Sequence, residues 1–284
     1  MTEASTQDDT GSATTGSRLM TPERLAGLIE TGQTDAVLAA LQADPGLVES
    51  RVERDQLTGW TPLHLALRHG NAELVRALIA AGSDLSARTE HGRSPLHICL
   101  QYHRLLRGEL LAAGAEVDNA IAAYFDEAEL VGAHLDADPE VLDDESTGMT
   151  PVQWAAYGSA DAVTRLLIER GARLDGALSA AAEVNAVLVT TLLLDAGADP
   201  SWTDPDTNES ALHVAAKHIS RPDNTAVARV LLQAGVDVDL VTTDGATALD
   251  IARIGAARQS GESSDRAAAF AEMAALLQEY GARD

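Results

Sequence analysis

The sequence predicts an all-α solenoid of about eight helix-turn-helix units joined by short turns or hairpins, in a chain of 284 residues. Two recurring phrases and their spacing predict it. The first is Thr61-Pro62-Leu63-His64, repeated as Ser94-Pro95-Leu96-His97, Thr150-Pro151-Val152-Gln153, Ser210-Ala211-Leu212-His213 and Thr247-Ala248-Leu249-Asp250. The second is LIAAGSDL ending at Leu85, repeated as LLAAGAEV, LIERGARL, LLDAGADP and LLQAGVDV. Thr61 and Ser94 stand 33 residues apart, and Gly82 and Gly114 stand 32 apart. A fixed period of this size marks a structural unit that buries its apolar side only by stacking on its neighbours.

Each phrase has a physical role. Thr or Ser caps the free N–H groups of a first helix, and Pro suits its first turn. Leu and Ala at three- and four-residue spacings form the buried stripe. Gly closes the second helix, where it takes a left-handed conformation without strain. These residues resemble the ankyrin repeat, a β-turn plus two helices with a T-P-L-H signature at a period of about 33. The resemblance extends over residues 21–284, which read as the solenoid, with the first and last units as its caps.

In chain order, residues 21–50 form a first unit that keeps the two-helix pattern without TPLH. Full units begin near Gly59 and Gly92. The fourth, about 118–144, has lost its turn but keeps two helices in DNAIAAYFDEAELVGAHLDADPEVL. The fifth starts at Gly148. The sixth, 175–201, also lacks a hairpin, because Gly171 and Gly197 are only 26 residues apart. The seventh carries the insertion HISRPDNTA between its helices. The eighth carries a longer one, Ala256–Ala268, whose small and polar residues read as a loop. Beyond it Phe270, Met273, Leu276 and Leu277 resume a helical rhythm that should dock on the seventh unit and close the core. Residues 1–20, rich in Ser, Thr, Gly and Asp, read as a disordered tail.

Composition narrows the function. Twenty basic against 44 acidic residues leave a net charge of −24. This disfavours binding to nucleic acid or to anionic lipid, both of which require Lys and Arg. No run approaches the roughly 18 apolar residues of a membrane span, and the N-terminus has no secretory pattern. The expectation is a soluble, cytoplasmic protein. Lys217 is the only lysine, and alanine fills 52 positions, as in proteins from GC-rich bacterial genomes.

Chemistry finds little support. The resemblance implies that His64, His97 and His213 are structural, bonded to the neighbouring turn. Cys99, the only cysteine, takes an alanine position and reads as a small buried hydrophobe. Asp143, Asp144 and Glu145, and again Asp204, Asp206 and Glu209, read as solvated acidic turns rather than metal ligands. No phosphate-cradling, zinc-protease or nucleophile-elbow motif is present. The expectation is a protein with no cofactor and no catalytic residues.

Binding is more legible. The resemblance implies that the two residues after the Ala-Ala of each first helix, and the turn residues, line a concave face that holds the partner. Those positions include Arg68, His69, Gln101, Tyr102, Tyr124, Phe125, Tyr157, Glu183, Lys217 and His218. The turns add Trp60, His91, Arg93 and Met149, and Trp154 lies close to the same surface. Aromatics outside the Leu positions are the usual anchors of an interface; the other reading is that the two hairpin-less units draw neighbouring helices together and bury Tyr124 and Phe125. The acidic body would favour a protein partner with a basic or mixed surface. The alternative is a small-molecule or catalytic pocket at units three to six, built from Tyr102, Tyr124, Trp154 and Tyr157 with Glu127, Glu183, Lys217 and His218 as polar groups.

Overall fold

A computed structural model describes residues 20–53, 57–219, 225–259 and 264–283. The expected tail, apart from Met20, and most of the seventh-unit insertion lie outside these residues. Eight antiparallel helix pairs follow one another: α1 (Pro22–Glu30) with α2 (Thr34–Ala43), α3 (Pro62–Arg68) with α4 (Ala72–Ala80), α5 (Pro95–Tyr102) with α6 (Arg107–Ala112), and α7 (Asn119–Tyr124) with α8 (Ala128–Ala137). Then come α9 (Pro151–Gly158) with α10 (Asp161–Glu169), α11 (Ala177–Glu183) with α12 (Val187–Asp195), α13 (Ala211–Lys217) with α14 (Ala226–Gln233), and α15 (Ala248–Gln259) with α16 (Ser264–Glu279). First helices stack into an inner row and second helices into an outer row. The turns between pairs stand beside the inner row. Isolated bridges at Val52–Trp60 and Thr203–Ser210 are the β-structure among the described residues.

One device starts most inner helices. Thr61 caps α3 by accepting from the His64 amide, and His64 Nδ1 accepts from the Thr61 amide at 3.2 Å. An acceptor at Nδ1 places the ring proton on Nε2, which donates to Arg93 O of the next turn at 3.2 Å. His213 does the same with Ser210 and Leu240 O. In α9 Gln153 replaces the ring, accepting from the Thr150 amide at 3.1 Å and donating to Asp175 O at 2.8 Å. Asp250 keeps only the capping half, with Thr247.

Burial lowers the His64 pKa from 6.5 to about 4. A depressed histidine lets the unfolded chain bind the extra proton, so its contribution is complete above pH 6.5 and is lost as pH falls to about 4. Because Gln153 already serves in this role, His64→Gln should fold. Its stability should fall less between those pH values, by on the order of 3 kcal/mol. Urea titrations at stepped pH read this difference. A residual slope includes His213, whose pKa burial also lowers, and near pH 4 the carboxyls held below their ordinary value, Asp118 among them.

The expected loop at Ala256–Ala268 is largely helical. Ala256–Gln259 extend α15 and residues 264–268 open α16, while 260–263 lie outside the described residues. The two long helices pack on each other, because Gly255 leaves room for the Phe270 ring where a Cβ would overlap it. Phe270, Met273, Leu276 and Leu277 are buried, and α16 touches the seventh pair through Glu272, which accepts from Thr225 Oγ1 at 3.3 Å.

Candidate functional site

The fourth pair decides the shape of the inner face. Without a turn of its own, it lets the turns of its neighbours meet: Arg93 Nε donates to Thr147 O at 2.9 Å. A Cβ on Gly92 would overlap Ser146 O, so only glycine permits this approach. Helix α7 lies tight against α9, whereas α5 and α7 do not close up in the same way. Large side chains of α9 fill the space left toward α5. Trp154 stands edge-on to His97 at 5.2 Å between ring centroids, and its Nε1 donates to Thr147 Oγ1 at 3.0 Å. Tyr157 donates its hydroxyl to Gln101 O at 3.1 Å. Tyr124 packs against both rings, at 6.4 and 6.1 Å.

The aromatic row that the sequence offers as a surface is therefore mostly interior. Trp60, Tyr124, Trp154 and Tyr157 are buried, and Phe125 is half-buried. For Tyr124 the cause is a slip of one residue. Asp118 caps α7 as Thr61 caps α3, so Tyr124 occupies the core position of Leu67, Leu100 and Ala156, and Phe125 with Asp126 takes the free pair. The tetrad of Tyr102, Tyr124, Trp154 and Tyr157 does not form a ligand pocket. Three of its rings fill one another's space, and only Tyr102 remains substantially exposed, at 45%.

The other predicted residues divide by exposure. His69, His91, Glu183, Lys217 and His218 are exposed, and Arg68, Arg93, Gln101 and Met149 are half-buried. The structure joins several of them. The Arg68 guanidinium lies over Trp60 at 5.5 Å and over Tyr102 at 5.7 Å. Arg93 Nη1 donates to Gln101 Oε1 at 2.8 Å. His218 comes within 4.0 Å of Glu183, and Lys217 pairs with Glu209 at 2.9 Å. His91 stands apart in its turn beside Glu90. Over α11, where the sixth pair lacks a turn, an open recess of about 330 Å³ is lined by Met149, Glu183, Trp202, Asp204 and Glu209. Trp202 and Arg104 belong to this face but escape the repeat register, because both sit in turns whose length varies between units.

Ser94, His97 and Asp118 fall in the order of a hydrolase triad: Ser94 Oγ is 2.8 Å from His97 Nδ1, and His97 Nε2 is 3.4 Å from Asp118 Oδ1. Ser94 and His97 are buried, so no substrate carbonyl can reach the hydroxyl. Asp118 stands where other units offer a turn carbonyl. Burial alone would raise its pKa, but His97, the Ile121 amide and Arg88 overcome that and lower it from 3.8 to about 2. A depressed carboxyl contributes above the unfolded value, so this stabilisation is lost as pH falls from about 4 toward 2. Asp118→Asn keeps the cap and should remove that acid-sensitive component, on the order of 2 kcal/mol, in a comparison of acid unfolding curves. Burial pushes the Cys99 thiol up to about 12, which leaves no thiolate for nucleophilic chemistry.

The acidic turns are committed to local structure. Asp143 accepts from the Arg173 amide at 2.9 Å, Glu145 pairs with the Arg173 side chain at 2.7 Å, and Asp204 accepts from the Asp206 and Thr207 amides. Among the described residues no group of three or more His, Cys, Asp or Glu is placed to hold a metal ion, and no helix is long and apolar enough to cross a membrane.

Residues 26–121 match the family described as Ankyrin repeats (3 copies), and residues 207–243 match the single Ankyrin repeat. The chain carries ankyrin repeats. Its ankyrin repeats are divergent, and the fifth and sixth pairs and most of the fourth fall outside both matched segments. An ankyrin repeat-containing protein of Schizosaccharomyces pombe is 34% identical over 68 residues, covering 24% of this chain and 30% of that protein. The E3 ubiquitin-protein ligase KEG of Arabidopsis thaliana is 26% identical over 250 residues, covering 74% of this chain and 15% of the ligase. The chain thus spans less than a third of the length of either relative. A solved ankyrin repeat domain from Acinetobacter baumannii aligns with 78% of this chain and 98% of its own at 23% identity and a TM-score of 0.40.

Proposed function

We propose that this ankyrin-repeat protein is a non-enzymatic interaction module that holds another protein along the concave, inner face of its stack. The observation that carries this reading is the set of side chains left free by stacking. His69, Tyr102, Glu183, Lys217 and His218 follow their helices' core positions in register and are exposed. The relatives' names, which include ankyrin repeat-containing proteins and a ubiquitin ligase, fit a module used in larger assemblies.

The partner's surface is of mixed charge in this reading. The recess over α11 presents Glu183 and Asp204 beside Trp202, a setting for a basic side chain, while the second and third pairs are basic. In this reading residues 21–284 act as one stack with the first and last pairs as caps, in the cytoplasm, and the alanine-rich, lysine-poor composition supports a bacterial source. Because the recess is an open trough, it suits the side chains of a protein better than an enclosed small molecule.

The test compares proteins retained by the wild type, by Tyr102→Ala/His218→Ala, and by the outer-face control Arg165→Gln/Arg229→Gln. Loss of the same partners from the first variant and their retention by the control supports the reading. Equal retention by both variants overturns it.

A further inference from the structure

Arginine is placed unevenly in this chain. Residues 57–108 hold six Arg and three acidic residues, a local charge of +3 within a total of −24. Three of these arginines surround Tyr102 on the inner face. Arg68 lies over the Trp60 and Tyr102 rings, Arg104 lies over the Tyr157 ring at 5.9 Å, and Arg93 is held between Gln101 Oε1 and Thr147 O. Tyr157 in turn is bonded to Gln101 O, so the arginines share one contiguous surface.

With acids outnumbering bases by more than two to one, a carboxylate is the partner an arginine meets most easily. Arg76, Arg88, Arg170 and Arg173 each have one. Among the described residues Arg68, Arg93 and Arg104 meet none and rest instead on rings and neutral oxygens, which orient the guanidinium without neutralising it. Tyr102 is 45% exposed beside them and Leu105, next to Arg104, is 94% exposed. An arginine fork held on an aromatic face, with a bare leucine at its edge, matches a peptide that carries carboxylates next to an apolar residue.

We propose that Arg68, Arg93 and Arg104, with Tyr102 and Leu105, form a docking site for an acidic segment of the partner protein, its Asp or Glu side chains meeting the guanidinium groups and its apolar residue meeting Leu105. This rests on the concave-face reading and adds a direction to it: the acidic part of the partner lies over the second and third pairs, and its basic part over the sixth. The acidic remainder of the chain repels such a segment elsewhere and so confines it to this patch.

The test uses the full chain and a fluorescein-labelled peptide of repeating Glu-Leu-Asp, read by anisotropy, with a repeating Lys-Leu-Arg peptide beside it. The acidic peptide should bind, and Arg68→Gln/Arg104→Gln should weaken it about tenfold or more. Arg165→Gln/Arg229→Gln, which removes the same charge from the outer row, should leave it within about twofold. Arg104 is exposed, so Arg104→Gln alone should weaken binding in the same direction even where the double variant melts early. Equal weakening by the inner and outer pairs, or no preference of these arginines for the acidic peptide, overturns the site. That result leaves the concave-face reading standing if Tyr102→Ala/His218→Ala still loses its protein partners.

Discussion

Trp154→Ala is expected to destabilise the chain by about 3–5 kcal/mol and to divide its unfolding into two steps. The side chain is wholly buried and touches His97 in the third pair, Tyr124 in the fourth and Thr147 in the turn of the fifth. A stack of repeats is stabilised chiefly by contacts between neighbours, so its weakest junction sets where it separates. Here the weakest junction is between the third and fourth pairs, where α5 and α7 stand off and Trp154 fills the gap. The variant keeps Trp60 on one side of the junction and Trp202 on the other. Each fluorescence signal can then be assigned through the matching Trp→Phe background. Separate urea midpoints are expected in Trp154→Ala and a single midpoint in the wild type. Coincident midpoints in the variant would show that the junction is held by something other than this ring.

Gly158→Ala is the second large effect. At the equivalent position other pairs carry His69, Tyr102, Val184 and His218, so the register alone does not demand glycine. Here α9 presses on the end of α7. A Cβ would overlap the Tyr124 carbonyl oxygen and come within 2.9 Å of Tyr124 Cα. The obstacle is backbone, which cannot rotate away, so the helices must separate and release Trp154 and Tyr157 with them. The expected loss is about 3 kcal/mol, at the upper end for an overpacked site. Gly132→Ala, in α8 of the fourth pair, meets its nearest atom at 3.9 Å and should be neutral or stabilising by up to about 1 kcal/mol. Thermal unfolding of the two variants distinguishes close packing at α7–α9 from a general intolerance of added methyl groups.

Much of the fold is legible in particular residues. Thr61, Ser94, Thr150 and Ser210 mark helix starts because a hydroxyl cap and its partner three residues on are local devices that hold wherever the phrase occurs. Gly82, Gly114, Gly171, Gly197 and Gly235 mark second-helix ends because each takes a positive φ. The insertion at Ala256–Ala268 misleads because a loop-like composition is overridden by packing: α16 packs against α15, which local propensity does not register.

The candidate site is legible only where the register is intact. His69, Tyr102, Glu183, Lys217 and His218 are exposed at their positions after the core Ala or Leu, whereas Tyr157 holds the same kind of position in an intact register and is buried against the third pair. The sequence by itself determined the unit, its eightfold repetition, the helix caps and the absent turns of the fourth and sixth pairs, because all of these follow from interactions within a few residues or one period. Only the tertiary structure decided what the absent turns do. Between the third and fifth pairs the neighbouring turns close over the gap and draw Tyr124, Trp154 and Tyr157 inside, whereas over the sixth pair a recess stays open beside Trp202. The difference lies in whether a large side chain from the next pair fills the vacated space, and that depends on distances between units that no local pattern encodes.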